Sequence, residues 1–599
     1  MELPPVWRAL DRAVQHWVRV HSGSPELAAV AGWASYADGA GDAALPLLGD
    51  GAGRHGMPPL AGAEVEALRR EPLVGDGRAV TPFVIDADGR FALWRNYADE
   101  CAIAAAIAQR RAAAMLPSPE ALTADLTTLF AQAPATAQRQ RDAVAAAVGR
   151  RLFVLTGGPG TGKTTTVLRL LLMRLRASPS PLRIRLAAPT GKAAQRLLQA
   201  LRAGKAALRS GTDALPDAWQ PLLAQIPEDA ASTLHRLLGY DPQRNRFTRH
   251  RARPLAADIV VVDEASMLDL AALRGLLDAV PDTAALILLG DADQLTSVAA
   301  GSVLMDLVAA LEREGAPELV RLEHSFRAQR ELARLNDSVR QGEPAAFAAA
   351  LNAAAPAVRV RAVADTASLR AFARDWATEL AALPIRPVLP STKAPQAQQR
   401  PVQASLFDPP ASSPAVLARQ ALRALAQRQL LCALREDAFG ALALNVLIET
   451  ELKALWNVAP ELTWYPGRAV LIARNDYGLQ LFNGDVGLCL ADADGRLRVW
   501  FETEPDARAL PPDSLPAHEG AFAITVHKSQ GSEYAHAALL LPPDPAHRIL
   551  SRQLLYTGIS RAKQRLDLCA SADVANAALA RPVLRAGGLA AKLRQARRR

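Results

Sequence analysis

The chain has 599 residues, half of them apolar and 22% charged, which is too long for a single hydrophobic core and too apolar for a disordered chain. Lys and Arg outnumber Asp and Glu by 69 to 60, a surplus of 9 that hints at a polyanionic partner but is spread over a large surface. The four cysteines, Cys101, Cys432, Cys489 and Cys569, form no C-x-x-C pair, which argues against a zinc site or a disulfide framework and fits a reducing cytoplasm.

The opening stretch MELPPVWRALDRAVQHW lacks the uninterrupted apolar run of a signal peptide, and no later run approaches a membrane span, so a cytoplasmic protein is expected. Residues 1–115 mix amphipathic helical patterns with Gly/Asp turns and end in the strand-like FALWRNYADE, which leads into an Ala-rich helix. This reads as a small, mainly helical docking domain or as plain structural support.

From residue 116 to about 335 short β-type runs alternate with helical ones. RLFVLTG, LRIRLAAPT, ADIVVVDEAS and AALILLGDADQ each end in small or polar residues, the signature of a parallel sheet wound by helices. A second region of the same kind covers 336–464 and 517–599, with strands near Leu430, at AFAITVHKSQ and at RLDLCA. Between its halves, 465–516 reads as several strands joined by turns at Asn483-Gly484 and Asp494-Gly495, a small inserted β-barrel of SH3-like type. The stretch 384–415 is rich in Pro, Gln and Ser and has little to bury, so it is expected to be a flexible surface insertion.

Gly157-Gly158-Pro159-Gly160-Thr161-Gly162-Lys163-Thr164-Thr165 fits G-x-x-x-x-G-K-T, follows a strand and opens a helix. Its glycines let backbone N–H groups wrap phosphates, Lys163 reaches the β/γ oxygens of ATP, and the Thr164 hydroxyl suits Mg²⁺. IVVVDEAS supplies the matching carboxylates, Asp263 for the Mg²⁺ and Glu264 to polarise the attacking water; a helix cap alone would account for one carboxylate but not for its pairing with the phosphate loop. Asp291, Asp293 and Gln294 end another strand, and Gln294 can report the γ-phosphate to a neighbouring domain, although a solvated turn would look the same in isolation. Arg327 in LEHSFR and Arg561 in YTGISRAK are candidates for meeting charge that develops on the transferred phosphoryl group.

In their order, GGPGTGKTTT, APTGKAAQRL, STLHRLLG, VVDEASM, GDADQL, HSFR, TVHKSQGSEY and YTGISRAK resemble the motifs of superfamily 1 helicases, and within these the 5′-to-3′ branch and its RecD family. The resemblance covers roughly residues 135–570. It implies an α/β fold of two RecA-like P-loop NTPase domains, and an ATP- and Mg²⁺-dependent 5′-to-3′ translocase on single-stranded DNA. It further implies an alpha subunit that works with the beta and gamma subunits of exodeoxyribonuclease V, RecB and RecC, in double-strand break repair and leaves nuclease activity to a partner.

By the same resemblance Thr525, His527 and Lys528 face DNA, as do Pro189, Thr190, Gly191 and Lys192 and the segment Thr233-Leu234-His235-Arg236. Gly531 and Glu533 lie nearer the nucleotide. Gln140 reads adenine, with Gln138 as its competitor. The segment with Asn475-Asp476-Tyr477 and Phe482-Asn483-Gly484-Asp485 resembles the family's barrel insertion. Gln403, Leu406 and Phe407 resemble a sliding-clamp peptide, for which coincidence is the rival explanation. A stand-alone DNA helicase, an ATP-gated DNA-binding regulatory subunit and an RNA helicase are the alternatives.

Overall fold

Strands Leu152–Gly157, Ile259–Val262 and Ala285–Gly290 are buried at every position, and Ile184–Ala188 at every position but Arg185. Such continuous apolar runs have no polar face to offer water, so they require cover on both sides, which a parallel sheet flanked by helices provides. A computed structural model gives the chain as two compact units, Met1–Phe326 with Leu584–Arg599, and Arg327–Val583. The described residues are 6–49, 51–112, 119–211, 214–326, 330–390, 413–476, 478–503 and 506–598. Arg327, Tyr477, the clamp-like Gln403, Leu406 and Phe407, and most of the Pro/Gln-rich stretch lie outside them.

In the first unit the six-stranded sheet is parallel throughout and runs Leu319–Leu322, Leu152–Gly157, Ala285–Gly290, Ile259–Val262, Ile184–Ala188, Ala231–Thr233. The phosphate-loop strand therefore lies beside the strand that ends in Asp291, while the strand ending in Asp263 is one further across. Helices Lys163–Ala177 and Gly191–Ser210 pack on one face through Val167, Leu171 and Leu201. Helices Leu270–Ala279 and Val303–Arg313 cover the other through Leu273, Leu276, Leu304 and Leu307.

Before this sheet, helices Ala9–Ser22 and Pro25–Gly39 pack on each other, and Asp11, fully buried between them, is held by Arg8 at 2.7 Å and by the Ser35 hydroxyl at 2.6 Å. A four-stranded sheet of short strands, Leu45–Pro46, Arg90–Leu93, Phe83–Ile85, Val74–Gly75, accompanies the helices. The strand-like FALWRNYADE is a strand only to Leu93, and helix Trp94–Ala112 takes over from there.

The last described helix, Leu589–Arg598, belongs to the first unit, where Leu589 and Leu593 join the core formed by Ile103, Ile107, Leu304 and Leu307. Grouping all of 517–599 with the second α/β region is therefore corrected from Leu584 onward. Glu100 on Trp94–Ala112 explains part of the attachment, accepting from the Gly588 amide and from Lys592, each at 2.7 Å.

The second unit is built on a five-stranded parallel sheet, ordered Val358–Arg361, Ala562–Cys569, Tyr534–Leu540, Arg428–Cys432, Ala523–Thr525. An antiparallel five-stranded sheet interrupts it, ordered Ala507–Leu510, Leu497–Glu502, Val486–Ala491, Ala469–Ile472, His518–Gly520. Val470, Ile472, Cys489, Val499 and Phe501 form its separate core. Gly484 and Gly495 adopt φ of +96° and +75°, the left-handed conformation that the Asn-Gly and Asp-Gly turns predict. Among the described residues no helix is long and apolar enough to cross a membrane.

Candidate nucleotide and DNA sites

The phosphate loop joins the buried strand Leu152–Gly157 to helix Lys163–Ala177, so the first amides of that helix have no acceptors within it and point into the loop. Gly162 caps the helix at φ +82°, a conformation that favours glycine, and a Cβ there would lie 2.2 Å from the Gln140 side-chain nitrogen and displace it. Lys163 folds its ammonium onto the carbonyls of Gly157 at 2.6 Å and Gly158 at 3.0 Å. The buried Thr161 hydroxyl donates to Gly158 O at 2.8 Å, closing the loop on itself.

Gln140 is 6% exposed and donates from Nε2 to the Thr161 carbonyl at 3.0 Å, whereas Gln138 donates to Asp142 at 2.8 Å on an exposed face. The two glutamines that sequence left in competition thus differ in burial and in partner. One aromatic that sequence reasoning passed over also belongs here. The Phe326 amide donates to Gly160 O at 2.9 Å, its ring lies 3.8 Å from the Cβ position of Gly162, and it is 42% exposed. Its signal lies in HSFR, immediately before Arg327.

Asp263 closes strand Ile259–Val262, and one of its oxygens accepts the Glu264 amide at 2.9 Å. Burial, and next the repulsion of Glu264, push its carboxyl pKa up, with Lys163 pulling the other way. Two adjacent acids, with Lys163 and more weakly Arg196 acting on Asp263, suit a divalent ion, and Thr164 beside Lys163 adds a hydroxyl; phosphate oxygens and water complete the usual shell of Mg²⁺. Among the described residues no cluster of three or more His, Cys, Asp or Glu competes for it. Glu264 itself sits at φ +53°, a left-handed conformation that costs a non-glycine residue about 1–2 kcal/mol. The residue that would orient the attacking water thus stands on strained backbone.

Asp291 is buried at the end of the neighbouring strand, where desolvation raises its pKa. It accepts from the Asp293 amide at 3.1 Å and from Gln294 Nε2 at 3.0 Å. Gln294 is 4% exposed, and its Oε1 has no hydrogen-bond partner among the described residues. A buried amide oxygen left unpaired is costly, so a donor brought by the reaction cycle would be welcome there. Arg321, also unremarked in the sequence, pairs with Asp293 at 2.7 Å and anchors this corner to the strand beside the phosphate loop.

The DNA-side candidates of the first unit sit at helix starts. Thr190 caps Gly191–Ser210 by accepting the Ala193 amide, with Pro189 just before it and Lys192 in the first turn. Thr233 caps Leu234–Leu238 by accepting the Arg236 amide. His235 and Arg236 are exposed, and the His235 ring packs 5.1 Å from Tyr240, an aromatic of the two-stranded ribbon Tyr240–Asp241 and Arg246–Phe247.

In the second unit, strand Ala523–Thr525 leads into a single 3₁₀ turn, His527–Ser529. Thr525 Oγ1 accepts the Lys528 amide at 3.3 Å, and the Lys528 ammonium pairs with Glu519. Gly531 turns at φ +71°, after which Glu533 pairs with Lys563 at 3.3 Å. Arg561 is 2% exposed, and its guanidinium donates to Thr557 O, Ser532 O and Ser560 Oγ, each at 3.1 Å. It holds the turn at 531–533 against helix Arg552–Ile559 and is not a side chain extended into solvent.

Residues 140–300 match the family described as AAA domain, and 520–569 match the UvrD-like helicase C-terminal domain. The chain is 37% identical over 489 residues to the RecBCD enzyme subunit RecD of Mycolicibacterium smegmatis, covering 80% of this chain and 78% of that one. It is 35% identical over 536 residues to the RecBCD enzyme subunit RecD of Mycobacterium tuberculosis, covering 88% and 84%. To the ATP-dependent RecD2 DNA helicase of Deinococcus radiodurans it is 30% identical, over 72% of this chain but 49% of that protein. With a phosphate loop, its acidic pair and a helicase C-terminal segment in place, and with relatives of this identity along most of its length, the chain belongs to the RecD family.

Proposed function

We propose that this chain is an ATP-driven 5′-to-3′ translocase on single-stranded DNA, acting in the cytoplasm as the alpha subunit of a helicase/nuclease complex with RecB and RecC in recombinational double-strand break repair, without nuclease activity of its own. As a member of its family it is a DNA helicase and ATP hydrolase. The observation that carries the reading is the division of labour: a phosphate loop with Lys163, Asp263 and Glu264 in one unit, and the Thr525–Lys528 turn together with Arg561 in the other.

In hydrolysis, water attacks the γ-phosphorus and the bond to the β,γ-bridging oxygen breaks, giving ADP and phosphate. Lys163 would exchange the Gly157 and Gly158 carbonyls for β/γ oxygens, and Glu264 would orient the water. Thr164 and Asp263 would hold Mg²⁺, which neutralises developing charge when bound. Gln140 would read the base, with Phe326 offering a face for stacking. Gln294 would sense the γ-phosphate, Arg327 and Arg561 would meet the charge that develops on it, and Gly531 and Glu533 would lie nearer the nucleotide.

Pro189, Thr190, Lys192, His235, Arg236, Thr525, His527 and Lys528 would contact the strand, mostly at phosphates, which fix position without reading sequence. Opening each base pair costs about 1.4 kcal/mol of stacking, so stepping must be coupled to ATP. The subunit reading is preferred to a stand-alone helicase because the chain is 37% and 35% identical to the two RecD subunits over 80% and 88% of its residues, against 30% over 72% for the RecD2 helicase.

The deciding experiment offers the purified chain, with ATP and Mg²⁺, a duplex carrying either a 5′ or a 3′ single-stranded tail. Opening of the 5′-tailed duplex alone is expected, or else DNA-stimulated hydrolysis without unwinding until RecB and RecC are added. Opening of the 3′-tailed duplex alone would overturn the polarity.

A further inference from the structure

Glu519 lies on His518–Gly520, the edge strand of the inserted sheet, opposite Leu471. The chain runs from it through a buried stretch into the turn that carries Lys528. Two buried amide side chains fix that stretch. Gln429 donates to the carbonyls of Ala521 and Phe522, both at 3.1 Å, and Asn445 donates to Ala523 O at 2.7 Å while accepting the Ala523 amide at 3.0 Å. Glu519 and Lys528 are thus held at a set separation.

Both oxygens of Glu519 are occupied by cations. Oε1 takes the Lys528 ammonium, and Oε2 lies 3.5 Å from one guanidinium nitrogen of Arg435, whose other terminal nitrogen pairs with the exposed Glu436 at 2.9 Å. Arg435 follows strand Arg428–Cys432, the parallel neighbour of Ala523–Thr525, so the two cations leave the same edge of the same sheet. The Glu519 side chain is 15% exposed, Lys528 23% and Arg435 54%, which puts the carboxylate behind the cations at a surface open to solvent. A carboxylate gripped by two cations presents its two oxygens much as a phosphodiester presents its non-bridging pair.

We propose that Glu519 is a built-in stand-in for a DNA phosphate: it holds Lys528 and Arg435 while no strand is bound and yields them to a backbone phosphate when one arrives. Binding at this point is then an exchange of one anion for another, which keeps the cations ordered but weakens the grip, as a strand that must slide requires. The proposal rests on Lys528 facing DNA.

The test measures binding of a fluorescein-labelled oligothymidylate to the full chain by fluorescence anisotropy, without nucleotide, over a salt series. Glu519→Gln removes the competing charge at constant size, so affinity should rise about five- to tenfold, or about 1.0–1.4 kcal/mol. The dependence of log K on log salt should steepen by about 0.7 for each additional phosphate neutralised. In Lys528→Ala or Arg435→Ala backgrounds the rise should shrink, one released cation being absent. Should Glu519→Gln fail to fold, as a melt by circular dichroism would show, Glu519→Asp withdraws the charge by one methylene and should give a smaller rise.

Unchanged or weaker binding on altering Glu519, with Lys528→Ala still weakening it, overturns the exchange: Glu519 would then merely steady a DNA-binding lysine. If Lys528→Ala leaves affinity and salt slope untouched, the DNA-side reading of Lys528 itself is wrong, and the exchange falls with it.

Discussion

The side-chain amide of Gln140 donates to the carbonyl oxygen of Thr161 inside the phosphate loop, at 3.0 Å. A residue upstream of strand Leu152–Gly157 thereby sets the position of the loop's own backbone. Gln140→Ala should raise the KM for ATP about five- to twelvefold, the scale of one buried hydrogen bond of about 1–1.5 kcal/mol, with a smaller effect on kcat. Gln138→Ala, on the exposed face, should leave both unchanged. Steady-state ATPase assays at saturating single-stranded DNA compare them directly.

Lys163 donates to the carbonyls of Gly157 and Gly158 and offsets the charge of buried Asp263. Lys163→Ala should lower DNA-stimulated kcat at least about 100-fold, the usual loss when a preorganised donor to developing charge is removed. Folding should stay intact, as circular dichroism would show. Normal hydrolysis in this variant would mean that ATP is used elsewhere.

Arg561, proposed to serve hydrolysis, also holds the fold around it. Its three hydrogen bonds tie Ser532, Thr557 and Ser560 together in a buried setting, and their loss should cost about 2–4 kcal/mol. Arg561→Ala should therefore lower the urea midpoint as well as kcat. Arg561→Lys, which cannot reach three acceptors in that plane, should recover only part of either. A variant inactive in hydrolysis but unchanged in stability would show that the buried bonds are dispensable.

Asp306 supplies a pH test. Burial, then repulsion by Glu100, push its carboxyl up to about 7, with Arg585 opposing. Unfolded, the same group titrates at about 4, so folding takes up a proton between these values. The stability it allows is fully present below about 4 and is lost as pH rises through about 7. Asp306→Asn should stabilise the first unit by about 2 kcal/mol at pH 8.5, a figure discounted for partial exposure, and by less at pH 5.5. Urea titrations at the two pH values would show it; equal effects at both would contradict the assignment.

The parallel sheets were legible because strands buried on both faces cannot hide: FVL, IVVV and ALILL leave no polar positions for an alternative register. The small N-terminal sheet was not, since strands such as Leu45–Pro46 and Val74–Gly75 have two residues each and show no period. Val358–Arg361 escapes notice for a related reason: only Val358 of the four is buried, as an edge position permits.

Within the site, the phosphate loop and the acidic pair could be placed because local spacing dictates their contacts. The partner of Lys528 could not, because Glu519 reaches it only through the strand pairing of an inserted sheet, and nothing in the nine-residue separation has helical or strand periodicity. Phe326 lay in view beside Arg327, but its bond to Gly160 depends on where strand Leu319–Leu322 ends.

Leu589 and Leu593 complete a core otherwise built from residues before Leu319, and this bears on synthesis. A ribosome will have finished the whole second unit before it supplies them. Until then the nascent first unit presents the side of helices Trp94–Ala112 and Val303–Arg313 that Leu589–Arg598 later covers, a ready target for chaperones and proteases. Release of a truncated product should thus yield a chain with every motif of the motor and a short life in the cell.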